Sequence, residues 1–183
     1  AQELSHRGTV LLATTTHIMR PDWCPFAATA AELCDGFAHS PIVCAGSYTP
    51  EGKLTAPDFP GWQYAADFVL VEADGSKRLP AKAHAAWEPV LPPERNRTVC
   101  VFGASALGQP IQDAAHRPEL YASLAEVSPE AVITPAIAAR VLAKEGGFDV
   151  LFINQADVLE DPTAALQPLV YTLPCPVAYG SLA

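Results

Sequence analysis

Six short runs of apolar residues, rich in Val, Ile, Leu and Phe, most strongly restrict the fold of this chain. Few polar residues interrupt these runs, which is typical of strands in a parallel sheet that is covered on both faces. Segments of helical character lie between most of them. We therefore predict an α/β fold of three layers, a mostly parallel sheet with helices on both faces, and a single domain over residues 1–183. The predicted strands are residues 9–16, 42–45, 68–72, 98–102, 150–153 and 177–179.

Local signals indicate where several elements begin and end. Thr134 and Ser128 each precede a proline, and a hydroxyl before proline is typical of a helix start. The glycine pair at 146–147 is expected to end a helix. Residues 1–8 resemble the last turns of a helix, so we expect a first strand and its loop to precede them. The predicted helices are residues 26–37, 119–127, 135–144 and 163–170.

The most informative polar residues directly follow the apolar run at 68–71. Glu72, Asp74, Gly75, Ser76 and Lys77 would lie at the C-terminal end of a strand. Ligands bind at that edge of an open parallel sheet, and an Asp there often holds Mg²⁺, which prefers oxygen ligands. The alternative is an ordinary surface turn formed by Asp74 and Gly75. Both interpretations remain open on the residues alone.

Charge and composition exclude several classes of partner. The formal net charge is −9 and Lys and Arg form no cluster, which argues against a nucleic-acid partner. No apolar run approaches the length of a membrane span, and residues 1–8 do not resemble a signal peptide, so we predict a cytoplasmic protein. The five cysteines have no metal-site spacing, and only Cys24 is a candidate reactive thiol. The three tryptophans are expected to pack on the core.

Other polar residues at predicted strand ends fit a nucleotide site. Asn154 and Asp157 have the N-x-x-D spacing with which GTPases bind a guanine base, although they also suit a capped turn. Thr14, Thr15 and Thr16 offer hydroxyls to phosphate or metal, or are simply β-branched strand residues. We expect these loops, residues 72–77 and residues 103–108 to line one crevice, with residues 116–117 at its rim. The small residues at 103–108 would let a ligand approach the backbone.

Histidines and an arginine complete the candidate set. His17 follows the threonines as a ligand, a proton shuttle or a turn residue. Arg117 suits a phosphate, because a guanidinium binds it through two parallel hydrogen bonds, or it pairs with Glu119 or another surface acid. A weaker hypothesis is a metal-dependent transferase in which His17, His84 and His116 form a distributed metal site.

The order of these motifs resembles one family. It is similar to the selenium-dependent hydroxylase accessory proteins, the YqeC family, which are associated with maturation of molybdenum hydroxylases. The resemblance extends from about residue 9 to residue 157. The motifs that carry it are TTTH at 14–17, VEADGS at 71–76, KAH at 82–84 with EPV at 88–90, HRPE at 116–119 and NQAD at 154–157.

The resemblance implies a P-loop NTPase-like fold with a glycine-rich phosphate loop before the helix that ends near Arg7. This sequence does not contain that loop, and the expected fold therefore lacks its N-terminal phosphate-loop unit. The nearest match, residues 46–53, has wrong glycine spacing and Leu54 in place of the Mg²⁺-binding hydroxyl, so we predict that residues 50–53 form a turn between two strands.

These observations favour a Mg²⁺- and nucleotide-dependent (ATP or GTP) accessory protein that delivers or modifies the molybdenum cofactor of a selenium-dependent hydroxylase. If it is an enzyme, it is a nucleoside triphosphatase. Asp74 would hold the metal and Glu72 would assist it or orient a water. Asn154 and Asp157 would bind the base. The alternative is a non-enzymatic α/β module that docks a partner hydroxylase or carries molybdenum cofactor.

Overall fold

The computed structural model describes residues 1–182, which divide into two compact units. Unit 1 consists of Ala1–Gly75 and Pro89–Glu94, and unit 2 of Ser76–Glu88 and the residues from Arg95 onward. No helix within residues 1–182 is both long and apolar enough to cross a membrane. This division does not test the prediction of a single domain over residues 1–183.

Unit 1 is built on a four-stranded parallel sheet with the order β2-β3-β1-β6. A small antiparallel ladder, β4 with β5, lies beside it in sequence and surrounds the turn predicted at residues 50–53. The strands are β1 (Val10–Thr14), β2 (Phe26–Ala27), β3 (Ile42–Ala45), β4 (Ser47–Tyr48), β5 (Leu54–Thr55) and β6 (Phe68–Glu72), and the helices are α1 (Gln2–Ser5) and α2 (Ala30–His39).

Both faces of the unit 1 sheet are apolar, as its continuous hydrophobic runs predict. Leu11 and Val43 pack on one face with Leu33 of α2. Val10 and Ile42 pack on the opposite face, where Leu4 of α1 is among the partly buried neighbours; Leu54 and Cys24 also belong to that cluster. Helix α2 therefore covers one face, and the four-residue α1 contributes the partly buried Leu4 to the other.

Unit 2 contains a three-stranded parallel sheet with the order β11-β10-β8 and a short parallel pair, β7 with β9. Its strands are β7 (Ala81–Lys82), β8 (Val99–Gly103), β9 (Ala115–His116), β10 (Val150–Asn154) and β11 (Val177–Tyr179). Its helices are α3 (Ile111–Ala114), α4 (Pro118–Ala125), α5 (Pro135–Glu145), α6 (Pro162–Ala165) and α7 (Gln167–Thr172).

The hydrophobic core of unit 2 lies on one face of its three-stranded sheet. Phe102, Leu151 and Ile153 pack there with buried residues of α4, α5 and α7. Side chains alternate between the two faces of a strand, so those of Val99 and Val101 lie on the opposite face of β8, where they are 54% and 61% exposed. The prediction of a sheet covered on both faces is therefore wrong for β8 among the described residues.

The prediction of one continuous sheet is also wrong. Strands β1 and β6 pair in unit 1, whereas β8 and β10 pair in unit 2. Within residues 1–182, β6 pairs only with β1, and its Leu70 is 37% exposed although we expected a fully buried strand. The physical reason is that an apolar run identifies a strand but does not specify which strand edge it will pair with.

Three helix predictions need correction. Residues 26–27 form a strand, because Thr29 caps α2 by accepting from the N–H of Glu32 and the Glu32 carboxylate accepts from the N–H of Ala28. No helix starts at Ser128, since the carbonyl of Pro129 instead accepts from the start of α3. The helix predicted at 163–170 is split into α6 and α7, and the second begins with a proline in its first turn.

Other local predictions are confirmed. Thr134 caps α5 by accepting from the N–H of Ile137, and Gly146 ends that helix at a φ of 56°. The strands Ile42–Ala45, Phe68–Glu72 and Val177–Tyr179 have the predicted bounds. Trp62 is buried as expected, but Trp23 and Trp87 are 55% and 71% exposed, so they are not core anchors.

Candidate functional site

Predicted site residues lie where β1 and β6 end at one edge of the unit 1 sheet. The two strands are parallel neighbours, and Thr14 is directly opposite Glu72 in their register. Asp74 and Gly75 follow β6, and the exposed His17 follows the threonines after β1. The sequence therefore brings the hydroxyl segment and the acidic segment of unit 1 to the same sheet edge.

The threonine hydroxyls at this edge are ordered by hydrogen bonds. Thr14 is fully buried, and its Oγ1 donates to the Glu72 carbonyl at 2.9 Å and accepts from the N–H of Thr16 at 2.9 Å. Since the only hydroxyl proton of Thr14 is used, the Thr16 hydroxyl must be the donor in its 3.1 Å contact with Thr14. Thr15 donates its hydroxyl to the Val90 carbonyl at 2.6 Å. Thr15 and Thr16 both act as hydroxyl donors in these contacts, so the lone pairs of their oxygens remain suitable for a ligand.

Two carboxylates influence each other at the end of β6. The pKa of Glu72 is raised, mainly by desolvation and secondarily by the negative charge of Asp74. A nearby cation would relieve this repulsion. Residues 1–182 contain no group of three or more His, Cys, Asp or Glu side chains that could hold a metal ion. Two carboxylates and a hydroxyl nevertheless fit Mg²⁺, which usually takes one or two carboxylates and completes its shell with water and phosphate oxygens.

A second group of predicted residues lies at the ends of β8 and β10 in unit 2. Gly103 is opposite Asn154 in the parallel register. A Cβ at Gly103 would lie 2.6 Å from Cβ of Pro80 and 2.7 Å from Oε1 of Gln155. The space beside this glycine is therefore filled by protein atoms rather than left open to a ligand. Ser105 donates to Gln155 Oε1 at 2.7 Å and ties the two loops together.

Asn154 and Asp157 contact the segment that follows β11. Asn154 Oδ1 accepts from the N–H of Gln155 at 2.8 Å and from the N–H of Leu182 at 2.9 Å. Ser181 Oγ donates to Asp157 Oδ1 and accepts from the N–H of Asp157 at 3.1 Å. Both side chains of the N-x-x-D motif thus join two neighbouring strand ends. The turn-forming role that we considered is observed, and base binding stays a prediction.

Sequence reasoning missed a cluster of charged side chains in unit 2. The Glu88 carboxylate accepts from Lys82 Nζ at 3.1 Å and from Nε and Nη2 of Arg117 at 2.9 and 3.0 Å. The Lys82 side chain is only 6% exposed. The Arg117 guanidinium also lies 5.5 Å from the ring centre of Trp87. These hydrogen bonds hold the pKa of Glu88 at about 2, with Arg117 as the largest cause.

Two histidines border this cluster. His116 pairs with Lys82 in the β7–β9 ladder, and its buried Nδ1 has no hydrogen-bond partner within residues 1–182. Burial, followed by the positive charges of Lys82 and Arg117, lowers the pKa of His116. His84 Nδ1 lies 2.8 Å from Glu145 Oε2, and the backbone N–H of His84 donates to Glu145 Oε1 at 2.6 Å. The described residues therefore give no support to the three-histidine metal site that includes His17.

The reactive-thiol prediction for Cys24 is not supported. Cys24 is 8% exposed and packs near Cys44 in the unit 1 core. Burial is the main cause that raises the pKa of its thiol. A thiol that stays protonated at neutral pH is a poor nucleophile.

The predicted site residues are divided between the two units, and the prediction of one shared crevice remains a prediction. The sequence could have revealed the Glu88 cluster, because the KAH, EPV and HRPE motifs supply all its charged members. It could also have indicated Ser181, since a Gly-Ser pair follows the predicted strand at 177–179. Unit 1 holds Thr14, Thr15, Thr16, His17, Glu72, Asp74 and Gly75, and unit 2 holds Ser76, Arg117, Asn154 and Asp157.

Comparison with known proteins supplies an independent result. The family model described as YqeC protein matches residues 1–119, which is more than half of the chain. The chain is 31% identical to a protein named "Uncharacterized protein YqeC" from Escherichia coli (strain K12), over 183 aligned positions that cover 87% of this chain and 72% of the relative. No solved structure matches the chain significantly. On these matches, the chain belongs to the YqeC family.

Proposed function

We propose that this chain belongs to a nucleotide-dependent accessory protein that serves maturation of a selenium-dependent molybdenum hydroxylase. One observation carries the proposal: the threonine segment and the Glu72 and Asp74 carboxylates lie together where two parallel strands end. Strand ends of this kind bind ligands in open α/β sheets. The biological role in this proposal rests on the resemblance of the motif order to hydroxylase accessory proteins, in a chain that belongs to the YqeC family.

In this proposal the protein has a P-loop NTPase-like fold, and Asp74 is the carboxylate that holds Mg²⁺. Glu72 orients a water molecule or supports the metal ligands, and Thr16 offers a hydroxyl oxygen. The bound ion would neutralise phosphate charge, as hard cations do in nucleotide sites. Gly75 and Ser76 would approach the phosphates through their backbone.

In unit 2, the proposal gives Arg117 a supporting role and the N-x-x-D motif a binding role. The bidentate contact with Glu88 fixes the guanidinium of Arg117, so that it is a preorganised positive charge for an anionic ligand. Asn154 and Asp157 would recognise the base. The triphosphate could be ATP or GTP, and the chemistry would be hydrolysis or binding alone.

Isothermal titration calorimetry with Mg·ATP and Mg·GTP, repeated with EDTA, tests this proposal on the natural chain that contains these 183 residues. We expect at least one nucleotide to bind in a Mg²⁺-dependent manner. Asp74→Asn should weaken that binding at least about tenfold, because it removes a metal-coordinating charge. Asp58→Asn, an exposed aspartate in the same unit, is the matched control and should bind as wild type does. If wild type binds neither nucleotide, the proposal is overturned.

A second candidate function is a non-enzymatic module that docks the hydroxylase or carries molybdenum cofactor. It is favoured by the exposed Val99 and Val101, since parallel sheets are normally covered on both faces. Val101→Asp should then reduce the affinity for the purified hydroxylase at least about tenfold, which corresponds to about 1.4 kcal/mol. Val170→Asp, on the exposed side of α7, is the control. Equal binding by wild type and Val101→Asp would exclude this surface.

A further inference from the structure

The strand ends of unit 2 form a hydrogen-bonded pair of loops. β10 and β11 are parallel neighbours, and the N–H of Gly180 donates to the Ile153 carbonyl at 3.0 Å. Beyond the strands, Asn154 Oδ1 binds the N–H of Leu182, and Ser181 Oγ binds Asp157 Oδ1. The N-x-x-D loop is therefore assembled together with the loop that follows β11, 24 or more residues later in the chain.

We propose that these two loops select guanine over adenine, with Asp157 as the residue that reads the base. The inference rests on the nucleotide-binding function proposed above and specifies its ligand. A carboxylate only accepts hydrogen bonds. Guanine presents two adjacent donors, N1–H and the 2-amino group, whereas adenine presents an acceptor at N1. Asp157 would attract the first edge and repel the second.

The contacts of Asp157 leave its carboxylate suitable for this role. Ser181 binds only one of the two oxygens, Oδ1, and within residues 1–182 no donor binds Oδ2. The Asp157 side chain is exposed, so a base can approach it. A carboxylate oxygen accepts more than one hydrogen bond, which allows Oδ1 to keep Ser181 while it contacts the 2-amino group.

Ser181 and Asn154 act as positioning residues. The Ser181 hydroxyl fixes the rotation of the Asp157 carboxylate, and Asn154 holds the backbone of Leu182 and Gln155. Ser105 further anchors the loop through Gln155. This preorganisation reduces the conformational entropy that base binding would cost. If these hydrogen bonds only joined the two loops, the same contacts would be present but the protein would show no preference among bases.

Exchange of the base and of the side chain together tests this inference. Calorimetry should show that wild type binds Mg·GTP at least about tenfold more tightly than Mg·ATP. Asp157→Asn should weaken GTP binding at least tenfold and strengthen XTP binding, because the amide donates to the 2-oxo group of xanthine. Ser181→Ala should weaken GTP binding a few-fold without a switch to XTP. Glu160→Gln, an exposed neighbour, is the control and should match wild type.

The outcomes separate this inference from the proposed function. Equal affinity for GTP and ATP, or an Asp157→Asn variant that loses GTP without gaining XTP, would overturn guanine selection while nucleotide binding stands. Binding of neither nucleotide by wild type would overturn the proposed function, and guanine selection with it. A rise in XTP affinity would support guanine selection specifically, since a purely structural role of Asp157 would not produce that rise.

Discussion

Glu88 organises the charged cluster of unit 2. Its carboxylate accepts four hydrogen bonds, one from Lys82, two from Arg117 and one from the N–H of Ala85. Lys82 is largely removed from solvent, and the Glu88 carboxylate is one of the groups that stabilise its charge. The same residue fixes Arg117, whose φ of 63° is unusual for a residue other than glycine. Loss of the carboxylate would therefore remove an ionised acceptor from both cations.

We predict that Glu88→Gln lowers the free energy of unfolding by about 1.5–3 kcal/mol at pH 7, because the amide replaces an ionised acceptor facing two cations. Urea denaturation followed by circular dichroism measures the change. Glu94→Gln, at an exposed position, should stay within about 0.5 kcal/mol of wild type. Equal stability of the two variants would contradict the role assigned to Glu88.

The difference between wild type and Glu88→Gln should also depend on pH. The folded-state pKa of Glu88 is about 2, below its ordinary value of 4.5. A depressed carboxylate pKa contributes stability above the unfolded pKa and loses it as the pH falls toward the folded pKa. We expect the difference in unfolding free energy to be constant above about pH 5.5 and to shrink between pH 4.5 and 2. A difference that grows on acidification would contradict this assignment.

At the scale of elements, close contact between loops depends on one glycine. Gly103 ends β8, and its N–H donates to the Pro80 carbonyl at 2.7 Å. Any side chain there would meet Pro80 and Gln155. The glycine is needed for this close approach, since its backbone φ is not in the left-handed region.

Gly103→Ala should therefore destabilise the protein by about 1–3 kcal/mol, the usual cost of forcing an extra methyl group into a packed region. Thermal or urea denaturation will measure the loss. Gly180→Ala is the matched control in the same unit, because its nearest atom would be Phe152 Cζ at an ordinary 3.6 Å. If both variants unfold alike, Pro80 and Gln155 do not restrict this position.

The accuracy of the sequence predictions differed between kinds of element. Short apolar runs predicted the bounds of the strands at 42–45, 68–72 and 177–179 correctly, because the local pattern alone identifies them. Ser128 failed as a helix start because the backbone of Ala131 and Ile133 bonds with residues 109–111 instead, and Thr134 caps the next helix only six residues later. Pairing failed most clearly, since the assignment of β6 and β8 to different sheets depends on contacts between distant residues.

The candidate site was predictable only in part, for the same reason. The Thr14 and Glu72 segments could be brought together, because parallel neighbours end at one sheet edge. The Gly-Ser pair after the strand at 177–179 could have indicated Ser181, but not its contact with Asp157, because that contact depends on which strand lies beside β10 in the sheet. The pairing of Arg117 with Glu88 was foreseen only as one with an unspecified acid.

At the scale of the whole molecule, the net charge is strongly negative. The formal net charge of −9 means that any anionic ligand must be held by local cations, a metal ion or backbone N–H groups. Lys82 and Arg117 provide such a local concentration of positive charge in unit 2, although Glu88 offsets part of it. The negative net charge of the molecule would repel a polyanion with extended charge.

We therefore predict no measurable binding to duplex DNA or RNA at about 0.15 M salt, since nucleic-acid affinity depends on many Lys and Arg contacts with phosphates. Fluorescence anisotropy with a labelled duplex is a direct measurement. A dissociation constant below about 10 μM under these conditions would contradict the prediction.

The exposure of Trp87 makes it an optical reporter for its unit. Trp87 is 71% exposed and lies beside the Arg117 guanidinium, whereas Trp62 is 7% exposed in the core of unit 1. Acrylamide should therefore quench the emission of Trp87 readily and that of Trp62 very little. In a variant that keeps Trp87 alone, an anion that moves the guanidinium would change both the emission wavelength and the quenching rate. Ligand binding at this surface is thus measurable without an attached dye.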